Sequence, residues 1–457
     1  MHNSQLLAAI RRRWRLAVRI AAIISLNISA ASIAPAQEGS SQQTAPAGPV
    51  LTLADLERMA LDANPTLAQA EAAIRAAEGR RLQAGLFPNP IIGYLGEELS
   101  TRAFSEKSEH YFFFEQTVPL GGKLDKSRKV ITQEKAQAEQ DAAAQKQRVL
   151  NAVRMFYFQA LGAQKLVEVR EQLAKLAREA VGISSELLNV GQADRPDMLA
   201  SEVESERARL DLIMVENERD RIWQQLGAIV GNPFLKPTRL AGELDRGLPE
   251  FDPETVIAMI LRESPQIKRA QAGIERARAE LVRAKAEPAP DLYFRGGIGY
   301  SNELLELRNP PPGPPGKTGP EAFVEAGVRI PLFNRNQGGI SAAQAELEIA
   351  ERETKRVELV LRARFAGAYR AYQNSLRVAN EYGRQIIPRA QRAYELYLTS
   401  FKQMAAAYPQ VLITQRTLFQ TRADYIVSLT EAWQSAIQIQ GFLLTGGLDA
   451  PGGMLKE

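Results

Sequence analysis

The sequence of 457 residues contains no cysteine, and its only two histidines are His2 and His110. This inventory excludes disulfide scaffolds, thiolate zinc sites, cysteine nucleophiles and histidine-based triads. No other catalytic constellation stands out. We therefore expect a protein that is not an enzyme and that binds neither a cofactor nor a metal ion of its own.

The chain after residue 36 also lacks a surplus of basic residues. The formal net charge is +4, but residues 1–36 hold five arginines and no acidic residue, so the rest of the chain carries 4 − 5 = −1. A chain without a basic surplus is not expected to bind nucleic acid.

The N-terminus has the layout of an export signal. The arginines precede an apolar stretch, residues 20–33, which is followed by Ala34-Pro35-Ala36. This order predicts a signal peptide over residues 1–36, cleaved before Gln37, with a flexible leader over residues 37–50. A membrane anchor is the alternative, but polar residues dilute a stretch that is already short of the ~20 residues a spanning helix needs.

The remaining chain contains one unit twice. A shift of 200 residues pairs eleven identical residues between positions 59 and 96 and their counterparts, among them Pro65 with Pro265 and Pro88 with Pro288. The shift later grows to 213, because the second copy carries a Pro/Gly-rich insertion at residues 309–320. We predict two repeats and a short C-terminal tail, covering residues 51–245, 246–447 and 448–457.

Each repeat is expected to contain the same elements in the same order. In the first repeat these are a helix over 51–86 with a break or restart at Asn64-Pro65, strands over 88–99 and 108–119, a long helix over 122–188, a tip at 189–196 and a return helix over 196–231. In the second repeat they are a helix over 253–287, strands over 290–301 and 321–331, a long helix over 338–403, a tip at 404–409 and a return helix over 409–443.

The long helices are predicted to supercoil against partners. In the first of them, apolar residues follow a heptad spacing of alternating three and four residues: Leu166, Val169, Leu173, Leu176, Ala180, Ile183 and Leu187. The return helix alone is too short to pack along the whole of the long helix. The first helix and the return helix of each repeat must therefore stack end to end beside it, which gives a rod of antiparallel hairpins. Pro388 is expected to kink the second long helix. On the helices alone, a coiled-coil spacer remains the alternative.

The predicted strands alternate in character. Val324, Ala326, Val328 and Ile330 are apolar, and the residues between them are charged or glycine. Segments of about ten residues with this pattern are typical of outer-membrane β-barrels, although a half-buried sheet in a soluble domain is the alternative for any one strand. One chain offers only four strands and closed membrane barrels begin at about eight, so two, three or four chains must share a barrel.

The order of elements resembles the TolC-type outer-membrane factors of bacterial tripartite efflux pumps and type I secretion systems. The segments that show this resemblance are LTLADLERMALDANPTLAQA (51–70), NVGQADRPDML (189–199) and RIPLFNRNQGGI (329–340). Residues 386–396 and 431–451 are most similar to the CzcC-like, heavy-metal branch.

This resemblance implies a homotrimer in the outer membrane of a Gram-negative bacterium, with a twelve-stranded β-barrel continued by a long periplasmic α-helical barrel. It also implies that the tips dock onto a periplasmic adaptor (membrane fusion) protein joined to an inner-membrane RND-type transporter. The chain would then be a passive conduit for metal ions or small toxic solutes. A periplasmic coiled-coil adaptor or a structural protein is the alternative.

By the same resemblance, the tips are expected to contact the adaptor and to form the periplasmic aperture. The residues concerned are Val190, Gly191, Gln192, Arg195, Asp197, Leu199, Tyr408, Gln410 and Leu412. Gly191 permits a positive φ where the chain reverses. A purely structural turn, with Asp197 as the N-cap of the return helix, is the alternative.

The second tip departs from the family pattern. Met404 stands where glycine is usual, and Gln410 and Ile413 stand where relatives often carry acidic residues. An acidic ring from this tip is therefore not expected. Ala406 replaces a basic residue that can occur there, which weakens the case for Arg-to-Asp gating.

Overall fold

The computed structural model describes residues 50–99, 108–304, 312–313 and 317–452. The predicted signal peptide, nearly all of the leader, half of the Pro/Gly-rich insertion and the end of the tail lie outside these residues.

The first repeat consists of four helices and a strand pair. Its elements are α1 (Leu53–Ala63), α2 (Pro65–Ala84), β1 (Ile91–Glu97), β2 (Glu109–Val118), α3 (Lys123–Asn189) and α4 (Arg195–Ile229). Asn64 separates α1 from α2: its side chain accepts a hydrogen bond from the Thr66 amide, and Pro65 follows it as the first residue of α2. This cap starts a new helix, so residues 51–86 contain two helices that meet at the expected break. The predicted helix over 253–287 is divided in the same way at Ser264-Pro265.

The second repeat follows the same order with one interruption. Its elements are α5 (Pro253–Glu263), α6 (Pro265–Ala286), β3 (Leu292–Leu304), β4 (Lys317–Val328), α7 (Gln337–Glu381), a π-helical turn (Tyr382–Ile386), α8 (Ile387–Lys402) and α9 (Tyr408–Gln440). Pro388 has no amide hydrogen, and its ring would clash with the carbonyl group four residues earlier in a regular α-helix. The wider π turn directly before it relieves this clash and interrupts the long helix over 338–403 beside Pro388, where a kink was expected.

The four strands form one antiparallel sheet in the order β1-β2-β3-β4. The second pair is displaced towards its connecting loop relative to the predicted ranges, since β3 continues to Leu304 and β4 ends at Val328. Pro331 follows shortly after β4 and has no amide to donate to a ladder.

The helices pack along α3. Trp223 and Leu226 of α4 are buried together with Leu56 of α1 and with Val149 and Val153 of α3. The Asn64 side-chain amide donates to the Ile229 carbonyl at 2.8 Å, so the end of α4 meets the junction between α1 and α2. In this way α4 and α2 follow each other along α3. In the part of the chain that the structure describes, no helix is long and apolar enough to cross a membrane.

The buried stripe of α3 differs from the predicted heptad. Leu173 and Ala180 are buried, as expected, but Ile183 is 37% exposed and the neighbouring Ser184 is buried. Ala177 is buried where Leu176 was expected to be. Small residues thus occupy the contact with α4 and α9, where they allow the helix backbones to approach closely.

Candidate functional site

The first hairpin tip is closed by a Schellman motif at the end of α3. The Gln192 amide donates to the Leu187 carbonyl at 2.8 Å, and the Gly191 amide donates to the Leu188 carbonyl at 3.1 Å. Gly191 has φ +73°, which confirms the expected positive φ at this residue. Both bonds satisfy carbonyl groups that would otherwise be unpaired at the helix end.

The second tip has the same motif at the end of α8, without glycine. The Ala405 amide donates to the Ser400 carbonyl and the Met404 amide to the Phe401 carbonyl, both at 2.8 Å. Met404 has φ +59° and therefore occupies the position that Gly191 holds in the first tip. A side chain in the left-handed region is strained, because its Cβ lies too close to the following carbonyl oxygen.

The return helices also begin alike, α4 at Arg195-Pro196 and α9 at Tyr408-Pro409. The N-cap of α4 is Asp194, and its side chain makes no capping hydrogen bond. Asp197 already lies in the first turn, where its amide donates to the Asp194 carbonyl at 3.1 Å. The alternative that Asp197 serves as the N-cap is therefore wrong.

A groove of about 300 Å³ separates the two tips. The first hairpin and the second hairpin both line it, with Ser184, Leu187, Gln192, Ala193, Asp197, Ser201, Phe401, Met404, Ala406, Ala407, Tyr408 and Pro409. Three of the nine residues expected at the tips, namely Gln192, Asp197 and Tyr408, thus come together. The others do not line the groove: Val190 and Leu199 are 68% and 52% exposed, Gly191, Arg195 and Gln410 are exposed, and Leu412 is half-buried.

Two buried serines hold the first hairpin together behind the groove. The hydroxyl oxygens of Ser184 and Ser201 lie 2.7 Å apart, and Ser201 also donates to the Asp197 carbonyl at 3.0 Å. Sequence reasoning missed this pair. The available signal was that Ser184 lies four residues after the buried Ala180, on the same face of α3.

Tyr408 anchors the second hairpin. Its ring packs on Phe401, with 4.9 Å between the ring centroids. Burial raises the pKa of Tyr408 to about 12, with Tyr394 and then Glu179 adding to the effect. Glu179 belongs to α3, so Tyr408 is close to the first hairpin and stays neutral at ordinary pH.

A polar link further from the tips also joins the hairpins. Arg170 of α3 forms an ion pair with Asp211 of α4 at 3.2 Å and donates to the Gln420 side chain of α9 at 3.1 Å. Arg416 of α9 approaches Glu204 of α4 at 3.8 Å. An Arg-to-Asp contact therefore exists in the helical part, at positions that the tip motifs did not indicate.

The two faces of the sheet differ in chemistry, as the dyad pattern predicted. One face carries apolar and aromatic residues, with Ile92 79% exposed, Ile298 71% and Val324 75%. The same face includes Tyr94, Phe112, Phe114, Phe294, Tyr300 and Val328. Such exposure in water would be costly, whereas lipid accommodates it.

The opposite face is polar and acidic. It carries Glu97, Glu109, Glu115, Glu321, Glu325, Tyr111, Tyr293 and Arg295. The Tyr111 hydroxyl donates to Glu109 and Glu321 at 3.0 Å each. The Arg295 guanidinium lies 4.1 Å from the centre of the Phe113 ring.

Metal-binding geometry does not occur in the described ranges, where no group of three or more histidine, aspartate or glutamate residues could hold an ion. The only carboxylate that lines the tip groove is that of Asp197. The groove thus offers a surface for contact and not a coordination site.

Comparisons with known proteins agree with this architecture. Residues 56–232 and 256–443 match the family described as outer membrane efflux protein. The chain is 25% identical over 399 residues to the cobalt-zinc-cadmium resistance protein CzcC of Cupriavidus metallidurans, an alignment that spans 87% of this chain and 90% of that protein.

Solved structures show the same fold. A crystal structure of CusC has a TM-score of 0.70 at 18% identity, covering 86% of this chain and 92% of that chain. The outer membrane protein VceC from Vibrio cholerae has a TM-score of 0.68 at 17% identity, covering 87% and 97%. The chain therefore belongs to the outer membrane efflux protein family, with its sheet as its share of an outer-membrane β-barrel and its helices extending into the periplasm.

Proposed function

We propose that three copies of this chain form the outer-membrane conduit of a tripartite efflux pump. The observation that carries the proposal is the four-stranded sheet, whose edge strands β1 and β4 have no partner among the described residues. An open sheet edge in lipid leaves backbone groups unpaired. Three copies joined edge to edge would give a twelve-stranded closed barrel. The chain itself would catalyse nothing, and the energy would come from its partners.

The helices also carry a surface through which neighbouring copies in the ring would contact each other. An apolar stripe runs along the exposed side of α4, formed by Leu199, Val203, Leu210 and Met214. Between 51% and 61% of each of these side chains is exposed. The spacing of four, seven and four residues places them on one side of the helix, as a coiled-coil partner requires. We assign this stripe to contact with a neighbouring copy.

The tips would dock onto a periplasmic adaptor (membrane fusion) protein that is joined to an inner-membrane RND-type transporter. The groove supports this assignment because both tips contribute to it and because Gln192 and Asp197 provide polar groups at its wall. The shared Schellman motif fixes the two chain reversals in the same geometry.

The proposed cargo is a metal cation, and small toxic solutes are the second candidate. Two observations favour cations: the similarity to a protein named for cobalt, zinc and cadmium resistance, and the polar face of the sheet. That face carries five glutamates against a single arginine on the paired strands. A barrel closed with this face inward would present a negative wall to its contents.

Substitutions at the first tip test the docking role. Gly191→Pro removes the amide that donates to Leu188 and cannot adopt the positive φ, and Arg195→Glu reverses an exposed charge at the start of α4. Both variants should abolish metal resistance of the host while leaving the extracted oligomer intact. Arg392→Glu, an exposed arginine on α8, is the matched control for the charge reversal. Unchanged resistance in both tip variants would contradict the proposed docking.

A further inference from the structure

The junctions between strands and helices form a surface that the conduit role does not require. These junctions are residues 85–91, 119–129, 285–291 and 329–337. They expose apolar side chains beside unpaired cations, at the end of the sheet that faces the periplasm. We infer that this collar binds the headgroups of anionic phospholipids in the periplasmic leaflet of the outer membrane. The inference rests on the outer-membrane location of the sheet and not on the efflux role.

The apolar part of the collar continues the lipid-facing side of the sheet. On β3 this side runs from Leu292 to Tyr300, which is about 26 Å along the strand. At a tilt of about 40° it covers ~20 Å of the ~25 Å apolar band of membrane barrels. The part of the apolar band that β3 does not reach is covered by Leu120, Ile330 and Leu332, whose side chains are 39%, 66% and 62% exposed.

The second repeat adds two residues at this level. Two residues lie between Pro119 and the N-cap Gly122 of α3, but four lie between Pro331 and the N-cap Asn336 of α7. Phe333 lies in the longer segment and is 91% exposed, the highest value among the large apolar residues that the structure describes. An aromatic ring at this depth suits the boundary between acyl chains and headgroups.

The charges of the two ends of the sheet are opposite. The collar holds seven basic and three acidic residues, hence 7 − 3 = +4. The far end of the strands, taken over the described residues 97–99, 108–110, 301–304 and 317–321, holds one basic and five acidic residues, hence 1 − 5 = −4. The basic end therefore complements phosphate groups only in the leaflet that the collar touches.

Four of the seven collar cations form no ion pair among the described residues, namely Lys126, Lys285, Arg329 and Arg335, whereas Arg128 pairs with Asp125. Two of them are placed where the longer segment and the start of α3 meet the membrane. Arg335 is exposed and, among the described residues, forms no ion pair. Lys126 extends back towards the membrane end of its helix and donates to the Gly121 carbonyl, without an acidic partner in the described ranges. The neighbouring Lys123 and Lys129 differ, because they pair with Asp291 and Asp125.

Native mass spectrometry of the full protein, extracted from the outer membrane and offered equal amounts of phosphatidylglycerol and phosphatidylethanolamine, tests the inference. Wild-type protein should retain phosphatidylglycerol in excess. Lys126→Gln with Arg335→Gln should lower that excess about tenfold. Arg335→Lys should keep it, because the charge remains. Arg352→Gln with Arg392→Gln, two exposed helical arginines, is the matched control and should also keep it.

Three results would overturn the inference. The first is equal retention of the two lipids by the wild-type protein, and the second is an unchanged excess in the double variant. The third is a Phe333→Ser variant that loses oligomer stability with lipid retention unchanged, since the exposed ring would then belong to contact with a second copy. None of these results would contradict the efflux proposal, because that proposal is tested by the metal resistance of the host.

Discussion

The tips provide a paired test of backbone strain, because two residues at equivalent positions differ only in whether they carry a side chain. Met404 has φ +59° and Gly191 has φ +73°, each within the same hydrogen-bonded motif. Met404 is 84% exposed, so its side chain contributes little packing. A Cβ added at Gly191 meets no atom within 4 Å, so an alanine there changes the backbone preference alone.

The expected change in the free energy of local opening at the tip follows from two opposing terms. A left-handed conformation costs a non-glycine residue about 1 to 2 kcal/mol, and glycine loses about 0.5 to 1 kcal/mol more conformational freedom on ordering. The net gain from Met404→Gly is about 0.5 to 1 kcal/mol, or about two- to fivefold in the equilibrium for local opening. Gly191→Ala should shift its own tip by the same factor in the opposite direction.

Amide hydrogen exchange, read by mass spectrometry on peptides that cover the two tips, measures both changes. In Met404→Gly, the Ala405 amide that is bonded to Ser400 should exchange more slowly. In Gly191→Ala, the Gln192 amide that is bonded to Leu187 should exchange faster. Each variant serves as the control for the other tip. Exchange that changes in the same direction in both variants, or not at all, would refute the reasoning.

Three further predictions concern the packing behind the tips, the titration of the groove and the ring. Ser201→Ala should lower the stability by about 1 kcal/mol because Ser184 loses its buried partner; the thermal midpoint should drop, and a recovery in the double alanine variant would confirm the pairing. Burial raises the pKa of Tyr408 to about 12, so the contribution of this side chain to the free energy of unfolding is complete below about pH 10 and is lost as the pH rises towards 12. Tyr408→Phe should remove this loss from a plot of thermal midpoint against pH. An unchanged plot would speak against burial of the hydroxyl. Leu210→Glu on the exposed stripe of α4 should dissociate the oligomer in light-scattering measurements, whereas Arg209→Gln beside it should not; an intact Leu210→Glu oligomer would place the stripe outside the interface.

The fold was largely predictable because its strongest signals are local and occur twice. The repeat, the break at Asn64-Pro65 and the alternating strands can each be recognised from residue spacing alone, without knowledge of the tertiary structure. The positive φ of Gly191 was predictable for the same reason, since glycine at a helix end has few alternative explanations.

The errors arose where several helices meet. The heptad was assigned to Leu176 and Ile183, yet Ala177 and Ser184 are the buried residues. Large apolar side chains give the stronger sequence signal, but close approach of three helices selects small ones. The alternative of Asp197 as N-cap is wrong because spacing does not distinguish it from Asp194, and only the geometry shows that the helix begins at Arg195.

The groove could not have been found in the sequence. Its walls come from tips separated by more than two hundred residues, and no local motif encodes their distance. The link from Arg170 to Asp211 and Gln420 has the same origin. Charged residues on amphipathic helices usually face solvent, so nothing in their spacing marks Arg170 as a residue with a 14% exposed side chain.

The central claim is that four strands per chain are too few to close a barrel, so copies must share one. The mass of the particle extracted with mild detergent from purified outer membranes tests this most directly. Light scattering corrected for detergent should give three chains of the protein per particle. A single chain per particle, or a chain recovered only from the soluble periplasmic fraction, would contradict the claim.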